Sequence, residues 1–261
     1  MSLSEGTSKQ EDQILRELFR SDKQNRYLRN RSEDRDSRQA VFDRDTLFAL
    51  YDMLKRGDLD YLNGVVQAGK EGRVYWGVRK GKDVAVKLFY TTTSDFKKRL
   101  IYMTGDPRFS RVRKYGHGLI FEWARKEFSN LRRAFDAGVK VPEPYSLSKN
   151  VLVMEFIGEA GVPAPTLEET TVNARDYSGV LKLVEHLYVD ASLVHADLSA
   201  YNVFKLHGRL TLFDFGSAVD VRHPMSMEFL RRDVDNINAF FAKRGIVIKP
   251  AKEILEMVSG E

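Results

Sequence analysis

Apolar residues recur at helical spacing soon after position 45. The apolar set of this expected helix is Leu47, Leu50, Tyr51 and Leu54. Asp45 stands where a carboxylate can cap the helix, and Gly57 stands where a glycine can end it. The pattern therefore predicts a short amphipathic helix ahead of the strands that follow.

A change to strand spacing then predicts a three-stranded meander. The first strand opens at Val65-Val66, the second covers residues 73–79, and the third covers residues 83–89. The dipeptide Lys80-Gly81 is typical of the tight turn between the last two strands. The residues expected on one face of the third strand are Val84, Val86 and Leu88.

Later patterns predict a further strand, a link and a helical second half. The apolar stretch VLVMEFI indicates a strand at residues 151–157. The Gly- and Pro-rich residues 158–165 that follow it favour a boundary between two lobes. The other expected elements are helices at 121–137, 173–191, 225–243 and 251–258, and strands at 203–206 and 209–213 joined by a His207-Gly208 turn.

Residues 90–118 break the regular pattern and are strongly basic. The stretch between Phe96 and Gly118 has a single acidic residue, Asp106. Its basic residues are Lys97, Lys98, Arg99, Arg108, Arg111, Arg113 and Lys114. Because loops of this length are usually functional or mobile, the insertion is a candidate contact for a polyanion.

Residues 1–40 are dominated by charged and polar side chains. One short amphipathic stripe interrupts them, formed by Ile14, Leu15, Leu18 and Phe19. We expect a charged arm, helical or disordered, that is peripheral to any core.

Composition narrows the possible classes of function. The 261 residues are 43% hydrophobic, enough for one compact unit built of two lobes. The net charge of +5 favours a polyanionic partner, either nucleotide or nucleic acid. The absence of cysteine excludes disulfides, thiolate metal sites and thiol catalysis. Because no secretory signal and no membrane-spanning run is visible, we expect a cytoplasmic protein without membrane contact.

The segment HADLSAYN, followed across two short strands by Asp214-Phe215-Gly216, carries the strongest chemical signal. Phosphoryl transfer needs a carboxylate that orients the acceptor and oxygen ligands that hold magnesium on the phosphates. Asp197 suits the first role, whereas Asn202 and Asp214 suit the second. The hairpin between the two motifs should return Asp214 to the neighbourhood of Asn202, and we expect His195 to support the backbone of the loop.

A lysine and a glycine-containing loop in the first half are the complementary signals. Lys87 lies in the third strand, from which its side chain can reach the phosphates of ATP. Gly69, Gly72 and Val74 match the kinase loop pattern G-x-G-x-x-G-x-V, although Gln67 occupies the first glycine position.

A helix carboxylate and a strand end complete the predicted nucleotide site. Glu127 is expected to pair with Lys87, with Glu122 as a rival. The backbone of Glu155 and Ile157 is expected to meet the adenine edge. The candidate nucleotide-binding residues are Val66, Gly69, Lys70, Glu71, Gly72, Val74, Ala85, Lys87, Glu127, Met154, Glu155, Ile157 and Asn202, and the candidate catalytic residues are Asp197, Asp214 and Lys87.

Together these motifs resemble the RIO family of atypical protein kinases, and its type 1 subfamily in a minimal, archaeal-like form. The resembling stretches are DYLNGVVQAGKEGRVYWG, DVAVKLF, EWARKEFSNLRRAFDAGVKVPEPY, NVLVMEFIGEAGVPAP, LVHADLSAYNV and LFDFGSAV. They span residues 60–220. The sequence departs from ordinary kinases at Ala196, where their loop has arginine, and Phe215 stands where type 1 relatives often have another residue.

The resemblance implies an α+β, two-lobed kinase-like fold whose trimmed C-lobe lacks an activation segment and peptide-docking helices. The expected division is an arm at 1–40, an N-lobe at 41–157 that includes the insertion at 90–118, and a C-lobe at 158–261. It also implies ATP and Mg²⁺ (or Mn²⁺) as cofactors, a Ser/Thr acceptor that includes the protein itself, and Asp214 as a second acceptor.

The family's role, maturation of the small ribosomal subunit, implies the pre-ribosome or its RNA as partner. Two alternatives remain open from the sequence. One is an ATP-gated switch that binds RNA or the pre-ribosome with little transfer activity. The other is a small-molecule kinase, a class that shares the H-x-D-x-x-x-x-N loop but usually has a larger helical C-lobe.

Overall fold

A computed structural model describes residues 2–19, 42–69, 72–90, 100–109 and 117–260. The helices, numbered here in chain order, are α1 (Ser2–Leu18), α2 (Arg44–Arg56), α3 (His117–Asp136), α4 (Ala174–Val189), α5 (Ser226–Lys243) and α6 (Ala251–Ser259). The strands are β1 (Tyr61–Ala68), β2 (Gly72–Arg79), β3 (Lys82–Phe89), β4 (Pro144–Ser148), β5 (Val151–Glu155), β6 (Gly158–Glu159), β7 (Val162–Pro163), β8 (Leu193–Val194), β9 (Val203–Leu206), β10 (Arg209–Leu212) and β11 (Val219–Asp220). Short 3₁₀ turns occur at Leu100–Tyr102, Pro107–Phe109, Leu167–Glu169 and Ala200–Asn202.

The chain divides into two compact units. The first unit comprises Met1–Thr93, Tyr145–Phe156 and Ala160–Val162. The second unit comprises Ser94–Pro144, Ile157–Glu159 and Pro163–Glu261. Helix α3 therefore packs with the second unit, and the lobe boundaries expected from the sequence stay predictions.

The first unit is built on a five-stranded sheet in the order β1-β2-β3-β5-β4. Neighbours β1–β2, β2–β3 and β3–β5 run antiparallel. One face of the sheet packs against α1 and α2, and the predicted apolar face of β3 lies in this core. The core residues contributed by the sheet include Tyr75, Val84, Val86, Leu88, Val151 and Val153.

Helix α1 corrects the expectation that the arm is peripheral. Ile14 is 2% exposed and Leu18 is 0% exposed, and both belong to the core of the first unit. Their helical spacing gives α1 an apolar stripe, and burying that stripe against α2 stabilises both helices. The rest of the predicted arm, residues 20–40, lies outside the described residues.

The sequence predicts the C-terminal end of α2 correctly and its N-cap wrongly. Gly57 ends the helix as predicted, with a left-handed φ of 72°. Asp45 was predicted as the cap, but the N-cap is Asp43, whose carboxylate accepts a hydrogen bond from the Thr46 N–H at 2.7 Å. Asp45 instead lies in the first turn and pairs with Lys149 at 2.6 Å.

Strand bounds also differ from prediction at two places. β1 begins at Tyr61, several residues before Val65, and β5 ends at Glu155 rather than at Ile157. The tight turn at Lys80-Gly81 is confirmed, with positive φ at both residues.

The second unit surrounds two short strand pairs with helices. β9 pairs with β10 around the predicted His207-Gly208 turn, and β8 pairs with β11. Helices α4, α5 and α6 pack on one another, and α4 and α5 pack against β8. After β11 the unit continues with the helices α5 and α6. In the part of the chain that the structure describes, no helix is long and apolar enough to cross a membrane.

The capping assignment can be tested with a matched pair of variants. We expect Asp43→Ala to lower the free energy of unfolding by about 1 kcal/mol, because the Thr46 N–H loses its acceptor. Asp45→Ala should cost less than about 0.5 kcal/mol, because it removes only an exposed ion pair. Urea unfolding of both variants measures the difference, and equal losses would contradict the assignment of Asp43 as the cap.

Candidate active site

The β9–β10 hairpin brings the two predicted catalytic motifs together, as the sequence analysis expected. Asn202 directly precedes β9, and Phe213 directly follows β10. The Phe213 N–H donates to the Asn202 carbonyl at 3.1 Å and closes the hairpin. Asp214 is the residue directly after Phe213. Downstream, β11 pairs with β8, which leads into the loop that carries Asp197. Both loops therefore start from paired strands and lie in the same unit.

Asn202 is held in an orientation that suits a metal ligand. Its Nδ2 donates to the backbone carbonyl of Asp197 at 2.8 Å. This bond directs the amide oxygen to the opposite side, where it can act as an acceptor or ligand. The Asp197 side chain is exposed, and Asp214 is half-buried with a left-handed φ of 65°.

The donor set fits magnesium bound to a nucleotide better than a cage made by protein alone. Among the described residues, no group of three or more His, Cys, Asp or Glu side chains could hold a metal ion. Asn202 and Asp214 offer hard oxygen atoms, and Mg²⁺ commonly takes its remaining ligands from phosphates and water. A site of one amide and one carboxylate would therefore be completed by the nucleotide.

Helix α5 fixes the backbone on both sides of Asp197. The buried carboxylate of Asp233 accepts the N–H of Ala196 at 2.7 Å and the N–H of Leu198 at 2.9 Å. The Arg232 guanidinium donates to the Ala196 carbonyl. Burial raises the pKa of Asp233 to about 7, against the opposing effect of the two N–H donors. Ala196 itself has a φ of 63°, so these bonds hold a strained residue in place.

His195 supports the loop backbone, as predicted. Its Nε2 lies 3.0 Å from the carbonyl of Phe213, so Nε2 carries the hydrogen and donates. Nδ1 is buried and has no hydrogen-bond partner among the described residues. Burial lowers the pKa of His195, which favours the neutral ring. The imidazole therefore joins the Asp197 loop to the strand that leads to Asp214.

Helix α3 holds the backbone that follows Asp214. Lys126 is fully buried, and its Nζ donates to the carbonyls of Gly216, at 2.8 Å, and of Ala218. Asn130 is also fully buried, and its Nδ2 donates to the carbonyls of Phe215 at 2.9 Å and of Ala218 at 2.7 Å. Two side chains thus satisfy three carbonyls of one irregular segment.

Glu127 lies beside the same segment. It is 2% exposed, and its Oε2 is 3.2 Å from the point that a Cβ at position 216 would occupy. The rival residue Glu122 is half-buried and pairs with Arg125 at 3.2 Å. Burial next to Gly216 favours Glu127 over Glu122 as the functional carboxylate, and its pairing with Lys87 stays a prediction.

The candidates in the first unit share one face of the sheet. Lys87 lies opposite Val74 on β2 and opposite Leu152 on β5, and Ala85 lies opposite Met154. Because directly opposed residues of antiparallel strands point to the same side, these side chains share the face that α1 and α2 leave uncovered. A register shift between Val65 and Gln67 interrupts the strand alternation at Val66, so the nucleotide contact of Val66 stays a prediction.

The glycine-containing turn is tight at Gly72. A Cβ at this position would lie 2.0 Å from the Leu88 carbonyl oxygen, so the strands require glycine here. The Gly69 N–H donates to the Gly72 carbonyl at 3.0 Å and closes the turn. Lys70 and Glu71, both predicted to bind nucleotide, lie outside the described residues.

One backbone group that is predicted to contact adenine already has a hydrogen-bond partner. The Ile157 carbonyl accepts the Ala164 N–H at 2.8 Å, so this carbonyl is already engaged. Glu155 is the last residue of β5, and Met154 is half-buried one position before it. Adenine contact through Glu155 and Ile157 stays a prediction.

Three polar residues of the site were missed by the sequence analysis. Lys126 and Asn130 lie in the inward stripe of α3 with Trp123 and Ala134, and Asp233 lies in the inward stripe of α5. A polar residue inside an apolar stripe at helical spacing is a detectable signal, because buried polar groups need partners. The sequence cannot show which backbone groups those partners are.

The fold and the arrangement of these motifs define a domain of the protein-kinase class. The chain also matches the family model described as "RIO domain" over residues 73–254. It is 37% identical to the RIO-type serine/threonine-protein kinase Rio1 of Haloferax volcanii, with 96% of this chain and 88% of that protein covered. The chain belongs to the RIO family, whose domain is a kinase domain.

Two further comparisons agree with this assignment. The serine/threonine-protein kinase RIO1 of Caenorhabditis elegans is 34% identical over 91% of this chain, which spans 48% of that longer protein. A solved structure of the Chaetomium thermophilum Rio2 kinase–ADP/Mg²⁺–phosphoaspartate complex is similar in fold, with a TM-score of 0.63. It is 22% identical, and the similarity covers 83% of this chain and 67% of that one.

The burial of Lys126 predicts a pH effect on stability. Burial lowers its pKa from the ordinary 10.5 to about 7. Between these values the unfolded chain binds a proton that the folded protein does not, so this residue makes stability rise with pH. We expect the difference in unfolding free energy between the wild type and Lys126→Met to rise by about 1 kcal/mol per pH unit within this interval.

Urea unfolding at about pH 7 and about pH 9.5 measures this difference. Arg125→Met, which removes an exposed cation next to Lys126, is the control and should keep the wild-type pH dependence. A Lys126→Met variant with an unchanged pH dependence would show that Lys126 keeps an ordinary pKa in the folded protein.

Proposed function

We propose that this protein is an ATP-dependent serine/threonine protein kinase, with ATPase activity, that acts in maturation of the small ribosomal subunit. The observation that carries the proposal is the hydrogen-bonded closure of the β9–β10 hairpin. The Asn202 side chain donates to the Asp197 carbonyl, and the Asn202 carbonyl accepts the N–H of the residue before Asp214. Membership of the RIO family supports the same conclusion.

In the proposed mechanism, three side chains bind the metal ion or the phosphates of the nucleotide. The Asn202 amide oxygen and the Asp214 carboxylate would hold a Mg²⁺ ion, with Mn²⁺ as a substitute. The bound metal would neutralise charge that develops on the phosphates. Lys87, on a rigid strand between Ala85 and Phe89, would contact the α- and β-phosphates.

Asp197 would orient the acceptor and take its proton. Its side chain is exposed, while the backbone on both sides is fixed by Asp233. This combination presents a carboxylate to an incoming hydroxyl without loss of position. Candidate acceptors in the protein itself are Ser110 and the residues from Thr91 to Ser94, all of which lie outside the described residues.

Asp214 is a second candidate acceptor. The Chaetomium relative was solved as a complex with ADP, Mg²⁺ and phosphoaspartate. In this chain Asp214 is half-buried in a left-handed conformation, held by the backbone bonds on either side. Transfer to Asp214 followed by hydrolysis would give net ATPase activity, which suits a switch as well as a kinase.

The first test follows the fate of the γ-phosphate. We expect γ-labelled ATP to give free phosphate together with phosphorylated protein, and intact mass with acid treatment separates phosphoserine or phosphothreonine from acid-labile phosphoaspartate. Asp197→Ala should reduce turnover about 10²- to 10⁴-fold, the usual contribution of a positioned acid or base.

Asp235→Asn, which changes an exposed carboxylate on α5, is the matched control and should turn over at the wild-type rate. Wild-type protein that binds nucleotide but transfers no phosphate would leave only an ATP-gated binding switch. Wild-type turnover in Asp197→Ala would contradict the proposed role of that residue.

The second test concerns the ribosomal partner. If Lys97, Lys98 and Arg99 contact RNA phosphates, replacing all three by glutamine should reduce the slope of log K against log salt by about 2 for single-stranded RNA. These residues lie outside the described residues, so the proposal rests on charge and on the family resemblance. Fluorescence anisotropy with a labelled small-subunit rRNA fragment measures the slope.

A triple variant at Lys182, Lys243 and Lys252 is the control for net charge, because these side chains are exposed on three other helices. It should leave the slope near its wild-type value. Equal changes in the two triple variants would point to binding by overall charge and not by the insertion.

A further inference from the structure

Helix α3 makes a buried polar contact with the segment after Asp214. Lys126 and Asn130 lie one helical turn apart, and both are fully buried. Together they donate to the carbonyls of Phe215, Gly216 and Ala218. A helix that carried only apolar residues here would remove these donors, and among the three carbonyls that of Phe215 would keep the N–H of Ala218 at 3.3 Å.

The orientation of Asn130 is itself determined by a third residue. Arg108 donates from NH1 to the Asn130 amide oxygen at 2.7 Å. Because the guanidinium can only donate, the Asn130 oxygen must face Arg108 and its NH₂ group must face the carbonyls. The carboxylate of Asp106, which is 1% exposed, fixes Arg108 with bonds of 2.9 and 2.6 Å.

The held segment begins at a residue that is conformationally strained. Asp214 has a φ of 65°, a conformation that costs an ordinary residue energy unless its surroundings impose it. Before Asp214, the Phe213 N–H is bound by Asn202 and the Phe213 carbonyl by His195. After Asp214, the bonds that α3 provides are those from Lys126 and Asn130.

We propose that Lys126 and Asn130 are positioning residues of the metal site, which set the affinity for Mg²⁺–nucleotide by holding the backbone that aims the Asp214 carboxylate. The inference rests on the proposed function of Asp214. Helix α3 would then have two roles. One is the predicted pairing of Glu127 with Lys87, and the other is the support of the Asp214 backbone by Lys126 and Asn130. Neither side chain is a catalytic residue, because each acts through the backbone.

The role of Lys126 does not depend on its charge. An ammonium group has three N–H donors and a neutral amine has two, and two donors suffice for the carbonyls of Gly216 and Ala218. The contact therefore persists through the pH range in which the residue titrates. Its function would fail only when the donors themselves are removed.

The test compares variants that remove donors and keep shape. Lys126→Met keeps the buried stem, and Asn130→Asp keeps the acceptor for Arg108 while it loses the NH₂ group. Arg125→Met is the control on the exposed side of α3. Calorimetric titration with ADP, in EDTA and across a series of MgCl₂ concentrations, separates affinity for the nucleotide from the increment that the metal adds.

We expect both donor variants to lose about tenfold or more of the Mg²⁺-dependent increment, the scale on which loss of a group supporting a metal ligand acts. Their affinity for ADP in EDTA should match the wild type. Arg125→Met should match it in both conditions. Because the two donor variants are independent, either one that folds, as judged by its thermal unfolding, provides the comparison.

Two results would overturn the inference alone. One is a wild-type Mg²⁺ increment in Lys126→Met and Asn130→Asp when Asp214→Asn has lost it, which would leave the proposed function standing. The other is an equal loss of ADP affinity with and without Mg²⁺, which would show a general structural role. If the wild type and Asp214→Asn both lack any Mg²⁺ increment, the proposed function fails and the inference fails with it.

Discussion

Buried backbone without a partner strand must obtain its hydrogen bonds from side chains, and the second unit of this protein is organised by that constraint. The loop around Asp197 and the segment after Asp214 are irregular and largely buried. Every peptide group in them that is removed from water needs a partner, since an unsatisfied one costs about 1–3 kcal/mol. Helices α3 and α5 supply many of those partners.

The two helices do this with opposite chemistry. Helix α5 presents an acceptor, the Asp233 carboxylate, to two backbone N–H groups. Helix α3 presents donors, the Lys126 ammonium group and the Asn130 amide, to three carbonyls. Each loop is thereby held from its own side, and Asp197 itself stays exposed.

Burial of these groups has a measurable electrostatic consequence. Removal from water penalises the charged form, so the pKa of Lys126 falls to about 7 and the pKa of Asp233 rises to about 7. The same burial makes their hydrogen bonds stronger than they would be in water. The rigidity of the loops is therefore obtained at some cost in stability, a balance that is common where a site must be preorganised.

The first unit is built on a sheet whose two faces differ in composition. One face is apolar and covered by α1 and α2, and the other carries Val74, Ala85, Lys87 and Met154. Strand alternation alone places these residues on one face, and their contact with a nucleotide stays a prediction. The sequence pattern failed for α1, because an isolated amphipathic stripe does not reveal the surface that it covers.

The sequence by itself determined the order of the helices from α2 onward and of the strands β1, β2, β3, β5, β9 and β10, together with the turn residues. It also yielded the candidate residues Lys87, Asp197, Asn202 and Asp214, because these depend on motif spacing. Only the tertiary structure decided that Asp43 caps α2, that α1 joins the core, and that Lys126, Asn130 and Asp233 hold the two loops. The backbone contacts of Lys126, Asn130 and Asp233 join residues 35 to 92 positions apart. Local patterns carry no information about which distant backbone group a buried side chain will meet.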